Sequence, residues 1–367
     1  MRKRAVFCAA CLCALVSGIF VPPSRAYFSY IDWNTLFMLF ALMTAVAGLE
    51  GCGVFKTLAF RLCAVVHTAR ALACVLVFLC FFTSMLITND VALLAFVPFA
   101  LLLFGMQEAV PSRVRALVVV LQTVAANTGS MLMPTGNPQN LFLYNNMGVP
   151  LADFVRVLLP YTLLCGLLLA LALLFVPKTP LVAFGSSHAE ARGSRKILYT
   201  VLFGCCLLAV ANVIPKGALA LGVLAAVLVF DRATLLRTDG FLLATFVAFF
   251  IFSGNLASVP AVTEFLQSSV RGHELAAGVA VSQVISNVPA TLLLYPFVQD
   301  ARRLLVGVNV GGMGTLVASL ASLISFTLYV KSERHGGFYL VLFTLVNVVG
   351  LLTMLAFSAI LAAWIPA

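Results

Sequence analysis

Charge is what this sequence has least of. Charged residues make up 9% of its 367 positions, where a soluble domain carries roughly 25%. With 63% hydrophobic residues and a mean hydropathy of +1.12, that scarcity excludes a soluble fold. Histidine is also rare: His67, His188, His273 and His335 fall in loops or interfacial stretches without metal-ligand spacing. Cysteines sit mostly inside apolar segments (Cys63, Cys74, Cys80, Cys165, Cys205, Cys206), where they act as small hydrophobes. Cys8 and Cys11 have CxxC spacing but no second ligand pair, so they do not signal a metal or redox site. The short alternating segments of a membrane β-barrel are missing too. What remains is an all-α polytopic membrane protein embedded in a lipid bilayer. Its net charge of +10 is then a signal of topology and not of a nucleic-acid partner.

Met1-Arg-Lys-Arg4 followed by Ala5 to Val21 reads either as a signal peptide or as a retained first span. Retention is preferred, because Arg25 spoils the small-residue cleavage pattern. A span follows from about Trp33 to Glu50, then Gly51 to Arg70, whose Lys56, Arg61 and Arg70 suit a helix in the interface. Residues 71–105 form two apolar arms broken at Thr88-Asn89-Asp90, each about 15 to 17 residues and marginal for a ~30 Å crossing. A re-entrant hairpin is expected. The span over 114–148 is broken by Met133-Pro-Thr-Gly-Asn-Pro-Gln-Asn140, where two prolines and a glycine free backbone groups. Val157 to Val176 is another span, and residues 177–196 form a hydrophilic linker.

The second half, 197–367, repeats the order. Spans at about Ile197–Ala211, Gly217–Phe230 and Gly240–Leu256 precede an amphipathic piece from Ser258 to Glu274. A hairpin over 275–299 breaks at Ser286-Asn-Val-Pro289, a span over 304–330 is interrupted from Gly311, and Phe338 to Trp364 closes the chain. Ile87-Thr88-Asn89 aligns with Ile285-Ser286-Asn287, and Asn127-Thr-Gly129 with Asn309-Val-Gly311. With the amino terminus in the cytoplasm, sixteen of the 22 basic residues lie inside and six outside, as the positive-inside rule asks. The first half, 1–176, then has its hairpin entering from the cytoplasm and the second from outside, so the two repeats are inverted.

Inverted repeats with discontinuous helices belong to secondary transporters. Helix N-termini offer free N–H groups to an anion, while Asn side chains and unpaired carbonyls offer oxygen to Na⁺. Asn89 facing Thr135-Gly136-Asn137 would make one cage, and Asn287 facing Gly314-Thr315 the other, with substrate between. Asp90 is the one carboxylate expected deep in spanning sequence. It marks an ion pathway, as a fixed carboxylate facing the polar break or as a proton carrier; the alternative is a helix cap. A membrane-embedded enzyme would need several ionisable groups converging at depth, and no catalytic residue is expected.

Thr88-Asn-Asp, Met133-Pro-Thr-Gly-Asn-Pro-Gln-Asn, Ile285-Ser-Asn-Val-Pro-Ala-Thr and Gly314-Thr-Leu-Val-Ala-Ser-Leu-Ala-Ser resemble the ion transporter superfamily. Its members include divalent-anion/sodium symporters for citrate and dicarboxylates, arsenite permeases and sodium/proton antiporters. The resemblance covers essentially the whole chain. It implies an elevator-type, usually dimeric carrier of a small anion in a bacterial-type inner membrane, with Na⁺ or H⁺ as coupling ion and no cofactor or bound metal beyond an alkali cation. The residues then expected at the cation are Thr88, Asn89, Asp90, Thr135, Gly136, Asn137, Ser286, Asn287, Gly314 and Thr315. Those expected at the substrate are Thr88, Asn89, Pro134, Asn137, Ser286, Asn287, Val288 and Ser319. Dicarboxylate symporters carry Ser-Asn-Thr at both tips; here Asp90 and Val288 replace the third residue, and an Asn-Asp pair is closer to the arsenite permeases. The proline-glycine run at 134–138 is closer to the carboxylate branch.

Overall fold

The computed structural model describes residues 2–55, 57, 61, 66–181, 193–333 and 336–364. Of the interfacial helix expected over Gly51 to Arg70, residues 56, 58–60 and 62–65 lie outside the described residues, and of the linker at 177–196, residues 182–192. Ala69 and Arg70 already belong to the following helix.

Apolar residues at helical spacing, bounded by Asp, Thr, Pro and Gly, set the elements. Helices α1 (Arg2–Phe20), α2 (Ala26–Tyr30) and α3 (Trp33–Gly51) lead into the pair α4 (Ala69–Leu86) and α5 (Asn89–Gly105). Then come α6 (Ser112–Ser130), a 3₁₀ turn at Pro134–Gly136, α7 (Pro138–Met147) and α8 (Leu151–Leu173). The second half holds α9 (Gly193–Val210), α10 (Lys216–Phe230), α11 (Gly240–Ala257) and the short α12 (Pro260–Val270). It continues with α13 (Glu274–Ile285), α14 (Asn287–Leu294), α15 (Ala301–Val310), α16 (Leu320–Glu333) and α17 (Gly337–Trp364). No strand occurs among the described residues beyond an isolated bridge from Thr68 to Pro180. Helices α3, α4, α8, α11 and α17 are long and apolar enough to cross a bilayer. Leu163 and Leu167 of α8 and Val341 and Leu345 of α17 point outward, exposed, as a lipid-facing surface requires. The chain is an all-α polytopic membrane protein.

Two boundaries differ from the expectation. The first break lies at Ile87-Thr88, both extended, and Asn89 and Asp90 are already in the first turn of α5. Thr88 is the N-cap, its carbonyl accepting from the Ala92 N–H at 3.0 Å. Helix α4 has 18 residues, about 27 Å at 1.5 Å per residue, so the first arm is longer than 15 to 17. The second break ends at Asn137, because Pro138 sits at the first helical position of α7, where a missing N–H costs nothing.

Polar contacts tie the helix ends together. Asp32 caps α3 through the Thr35 N–H and Asp239 caps α11 through the Leu242 N–H. Asp32 also accepts from Asn146 of α7 (2.8 Å), Lys216 donates to Asn145 (2.7 Å), and the Tyr295 hydroxyl donates to the Asn146 carbonyl. At other ends, Arg115 of α6 pairs with Glu333 of α16 at 2.7 Å, and Arg70 donates to the Leu174 and Val176 carbonyls after α8. Helix α1 lies along α11, where the buried Asn255 donates to Ser17 and Tyr27.

Candidate functional site

Asn89 opens α5. Its side-chain oxygen accepts from the Asp90 N–H (2.9 Å), closing the helix start, and its amide donates to Asn127 of α6 at 3.0 Å. The same Asn127 oxygen accepts from Ser319 (3.1 Å), while its nitrogen donates to Ser322 (3.3 Å). One buried side chain thus joins α5, α6 and the start of α16.

Asn309 of α15 does the reciprocal task. Its nitrogen donates to Asn140 at 2.7 Å and to the Leu305 carbonyl; its oxygen accepts from Asn137 at 3.3 Å. Asn127 and Asn309 stand 182 residues apart, and so do Asn137 and Ser319, and Asn140 and Ser322. In each half, then, the asparagine of the broken span reaches the other half's second arm at corresponding positions. The hairpins pack by the same device. A Cβ on Gly129 would strike the Phe81 carbonyl and Ser84, and one on Gly311 would strike Val279 and Ser282. Phe81 and Val279, like Ser84 and Ser282, lie 198 apart, the offset of the tip asparagines Asn89 and Asn287.

The breaks are stitched from within. The Thr135 hydroxyl donates to the Met85 carbonyl and the Thr315 hydroxyl to the Gln283 carbonyl, both at 3.0 Å. The Asn140 amide nitrogen faces the carbonyls of Met131 (2.7 Å), Met133 (3.3 Å) and Ser130 (3.4 Å). Gln283 donates to Gly311 (2.8 Å) and Met313 (3.0 Å), and its oxygen accepts from the Thr315 N–H (2.9 Å). At the second tip the Asn287 N–H donates to the Ala318 carbonyl at 3.0 Å. Ser286 there has φ +75°, a region that costs a residue with a Cβ of order 1–3 kcal/mol. Its hydroxyl is buried without a hydrogen-bond partner.

Thr88, Asn89, Thr135, Asn137, Ser286, Asn287 and Ser319 are thus buried around the two breaks, with Pro134 and Gly136 in the 3₁₀ turn and Val288 in the first turn of α14. Gly314 has φ +107°, and Thr315 beside it is exposed. Two expected pairings are rearranged. Asn89 meets Asn127 rather than the 135–137 turn, and Asn137 reaches across to Asn309. Asp90 is only half-buried and lines a cleft of about 700 Å³ with Asp239 and Thr245 of α11 and Leu320 and Lys331 around α16. Successive helical residues point about 100° apart, so a side chain next to Asn89 cannot share its direction. The most buried carboxylate described is Glu274, 2% exposed at the start of α13. Reading for hairpin tips passed over Asn140, Gln283 and Ser322; Asn127 and Asn309 were visible only as an alignment between the halves.

Four helices, α5, α7, α14 and α16, begin at this cluster, and the hydrogen bonds linking its side chains involve no charged group. Residues 1–305 match a family described as citrate transporter. The chain is 29% identical over 314 residues to the uncharacterized transporter MJ0456 of Methanocaldococcus jannaschii, covering 86% of each chain. It is 32% identical over 316 residues to the inner membrane protein YbiR of Escherichia coli, covering 84% of this chain and 83% of that one. A shorter likeness, 30% over 133 residues, joins 36% of this chain to 27% of the silicon efflux transporter LSI3 of Oryza sativa subsp. japonica.

Proposed function

Because this chain belongs to the citrate transporter family, we propose that it is an ion-coupled secondary carrier of a small anion, such as a di- or tricarboxylate, working by an elevator movement. It is a transporter and not an enzyme. The observation that carries the reading is the convergence of four helix N-termini on a buried polar cluster without a cation side chain. Each N-terminus presents the positive end of a helix dipole, with the Asp90, Asn140 and Asn287 N–H groups already engaged by Asn89, Asn137 and Ala318. In this reading the dipoles attract the negative charge, as at the midplane of inverted-repeat transporters.

The two offsets, 182 and 198, support an inverted repeat of α3–α8 with α11–α17, the paired helices α4–α5 and α13–α14 being re-entrant hairpins. In this reading the hairpins and broken spans move together, while α3 and α10 belong to a static, dimer-forming scaffold. The amino terminus is cytoplasmic. Substrate contacts come from Thr88, Asn89, Pro134 and Asn137 on one side and Ser286, Asn287, Val288 and Ser319 on the other. The unpartnered Ser286 hydroxyl suits a substrate oxygen. Coupling ions are Na⁺ or H⁺, with Asp90 in the cleft beside the first tip.

A second reading is favoured by the third tip positions, Asp90 and Val288, which lack the hydroxyls of the carboxylate-type motif, and by the absence of a basic side chain among the described residues of the buried cluster. A weakly acidic oxyacid such as arsenite or silicic acid would need neither. Uptake of labelled citrate and succinate into proteoliposomes, against arsenite, under imposed Na⁺ or H⁺ gradients separates the two. Carboxylate uptake is expected; gradient-driven arsenite movement without it would transfer the protein to the second reading.

A further inference from the structure

Helix α3 is long and apolar enough to cross a bilayer, so its last turn lies at the membrane surface. A polar pocket of about 350 Å³ opens there, walled by Gly51, Cys52, Gly53, Arg195, Asp231 and Arg237. Three elements meet around it: the end of α3, the start of α9, and a 3₁₀ turn at Arg232–Leu236 between α10 and α11. Two glycines let them close. The Tyr199 ring of α9 lies where a Cβ on Gly48 would be, and the Arg237 guanidinium lies where one on Gly51 would be. The guanidinium thereby complements the negative end of the α3 dipole.

The charges at this pocket do not cancel. Arg195, Lys196 and Arg237 lie close enough to act on the Cys52 thiol, and Asp231 is the carboxylate that opposes them. Asp231 is already committed. It accepts from the Tyr199 and Thr234 hydroxyls, both at 3.0 Å, and pairs with Arg195 at 3.5 Å. Arg237 makes no ion pair with a described carboxylate. A guanidinium fork matches the paired oxygens of a phosphate, so a phosphate is the group that answers this pocket.

The neighbouring surface says which phosphate. Leu236, next to Arg237, is 90% exposed, and Val229 and Phe230, just before Asp231, are exposed as well. Apolar side chains at this level, on the same connection as the arginine, fit acyl chains and not water. The positive-inside pattern puts this end of α3 in the cytoplasm, where basic pockets between spanning helices take anionic head groups.

We infer that the junction of α3, α9 and the 232–236 turn binds the head group of an anionic phospholipid, with Arg237 and Arg195 on the phosphate and Leu236 against a tail. The site sits on elements assigned above to the static scaffold. It therefore does not depend on what the carrier moves.

The test is the melting temperature of the purified protein in detergent, titrated with dioctanoyl phosphatidylglycerol, dioctanoyl phosphatidylcholine or inorganic phosphate. A saturable rise is expected with phosphatidylglycerol and with neither of the others. Arg237→Gln should move the midpoint of that titration about tenfold higher, the worth of one hydrogen bond to a charged group. Arg302→Gln, at an exposed arginine in the first turn of α15, should leave the midpoint unchanged. If Arg237→Gln does not fold, Arg195→Gln serves in its place. An equal rise with phosphatidylcholine overturns the proposal and leaves a groove for any lipid. An equal rise with inorganic phosphate overturns it too and leaves a free-anion site. So does a folded Arg237→Gln or Arg195→Gln protein that keeps the wild-type midpoint.

Discussion

Asn127 and Asn309 hold the site together because an amide is donor and acceptor at once, and each is placed where two halves of the chain meet. Around them most of the cluster satisfies itself; the exceptions are the buried amide oxygen of Gln139 and, at the second tip, Ser286. Its hydroxyl is buried and unpartnered on a backbone at φ +75°, a position that glycine occupies without strain. Replacing it by glycine should therefore stabilise the fold by about 1–3 kcal/mol, read as a higher melting temperature. Uptake should fall at least several-fold, since the hydroxyl is gone. A protein that melts lower and transports normally would show that Ser286 is held for packing and not for substrate.

Among elements, the close approach at Gly129 decides whether α4 can lie on α6. Gly129→Ala would push its Cβ into the Phe81 carbonyl, a backbone atom with nowhere to go. The expected cost is about 1–3 kcal/mol, as for overpacking in general, together with loss of uptake; a variant of unchanged stability would mean that the helices can slide apart. The helices themselves were legible in the sequence, since apolar runs and proline-glycine interruptions leave few other choices. Thr88, Asn89, Ser286 and Asn287 were legible as tips for the same reason. What was not legible was which break each asparagine would face. Asn137 reads as a partner for the nearby tip, yet it bonds to Asn309, 172 positions away. Gln283 reads as one more polar residue in an apolar arm, and only the fold brings it to the 311–315 carbonyls.

For the molecule as a whole, the sidedness of the loops is the strictest test of the inverted arrangement. In a cysteine-free background, single cysteines at Ser194 and Ala301 should react with a membrane-impermeant reagent from opposite sides, Ser194 from the cytoplasm. Labelling from one side would remove the inverted repeat. Helix α1 belongs to this frame as well: Asn255 bonds to Ser17 and Tyr27, so the mature protein should retain residues 1–26 by intact mass.

The two hairpins are not fastened alike. Gln283 clamps the second to its broken span through the Gly311 and Met313 carbonyls and both the N–H and the hydroxyl of Thr315. The first is held by bonds spread along its length, from Thr135 to the Met85 carbonyl, from Asn89 to Asn127 and from Gln122 to the Phe96 carbonyl. In the elevator reading the second hairpin travels as part of a rigid block and cannot swing by itself. In that reading the two hairpins offer unlike resistance to movement, and loading from the two compartments is expected to follow different rate laws.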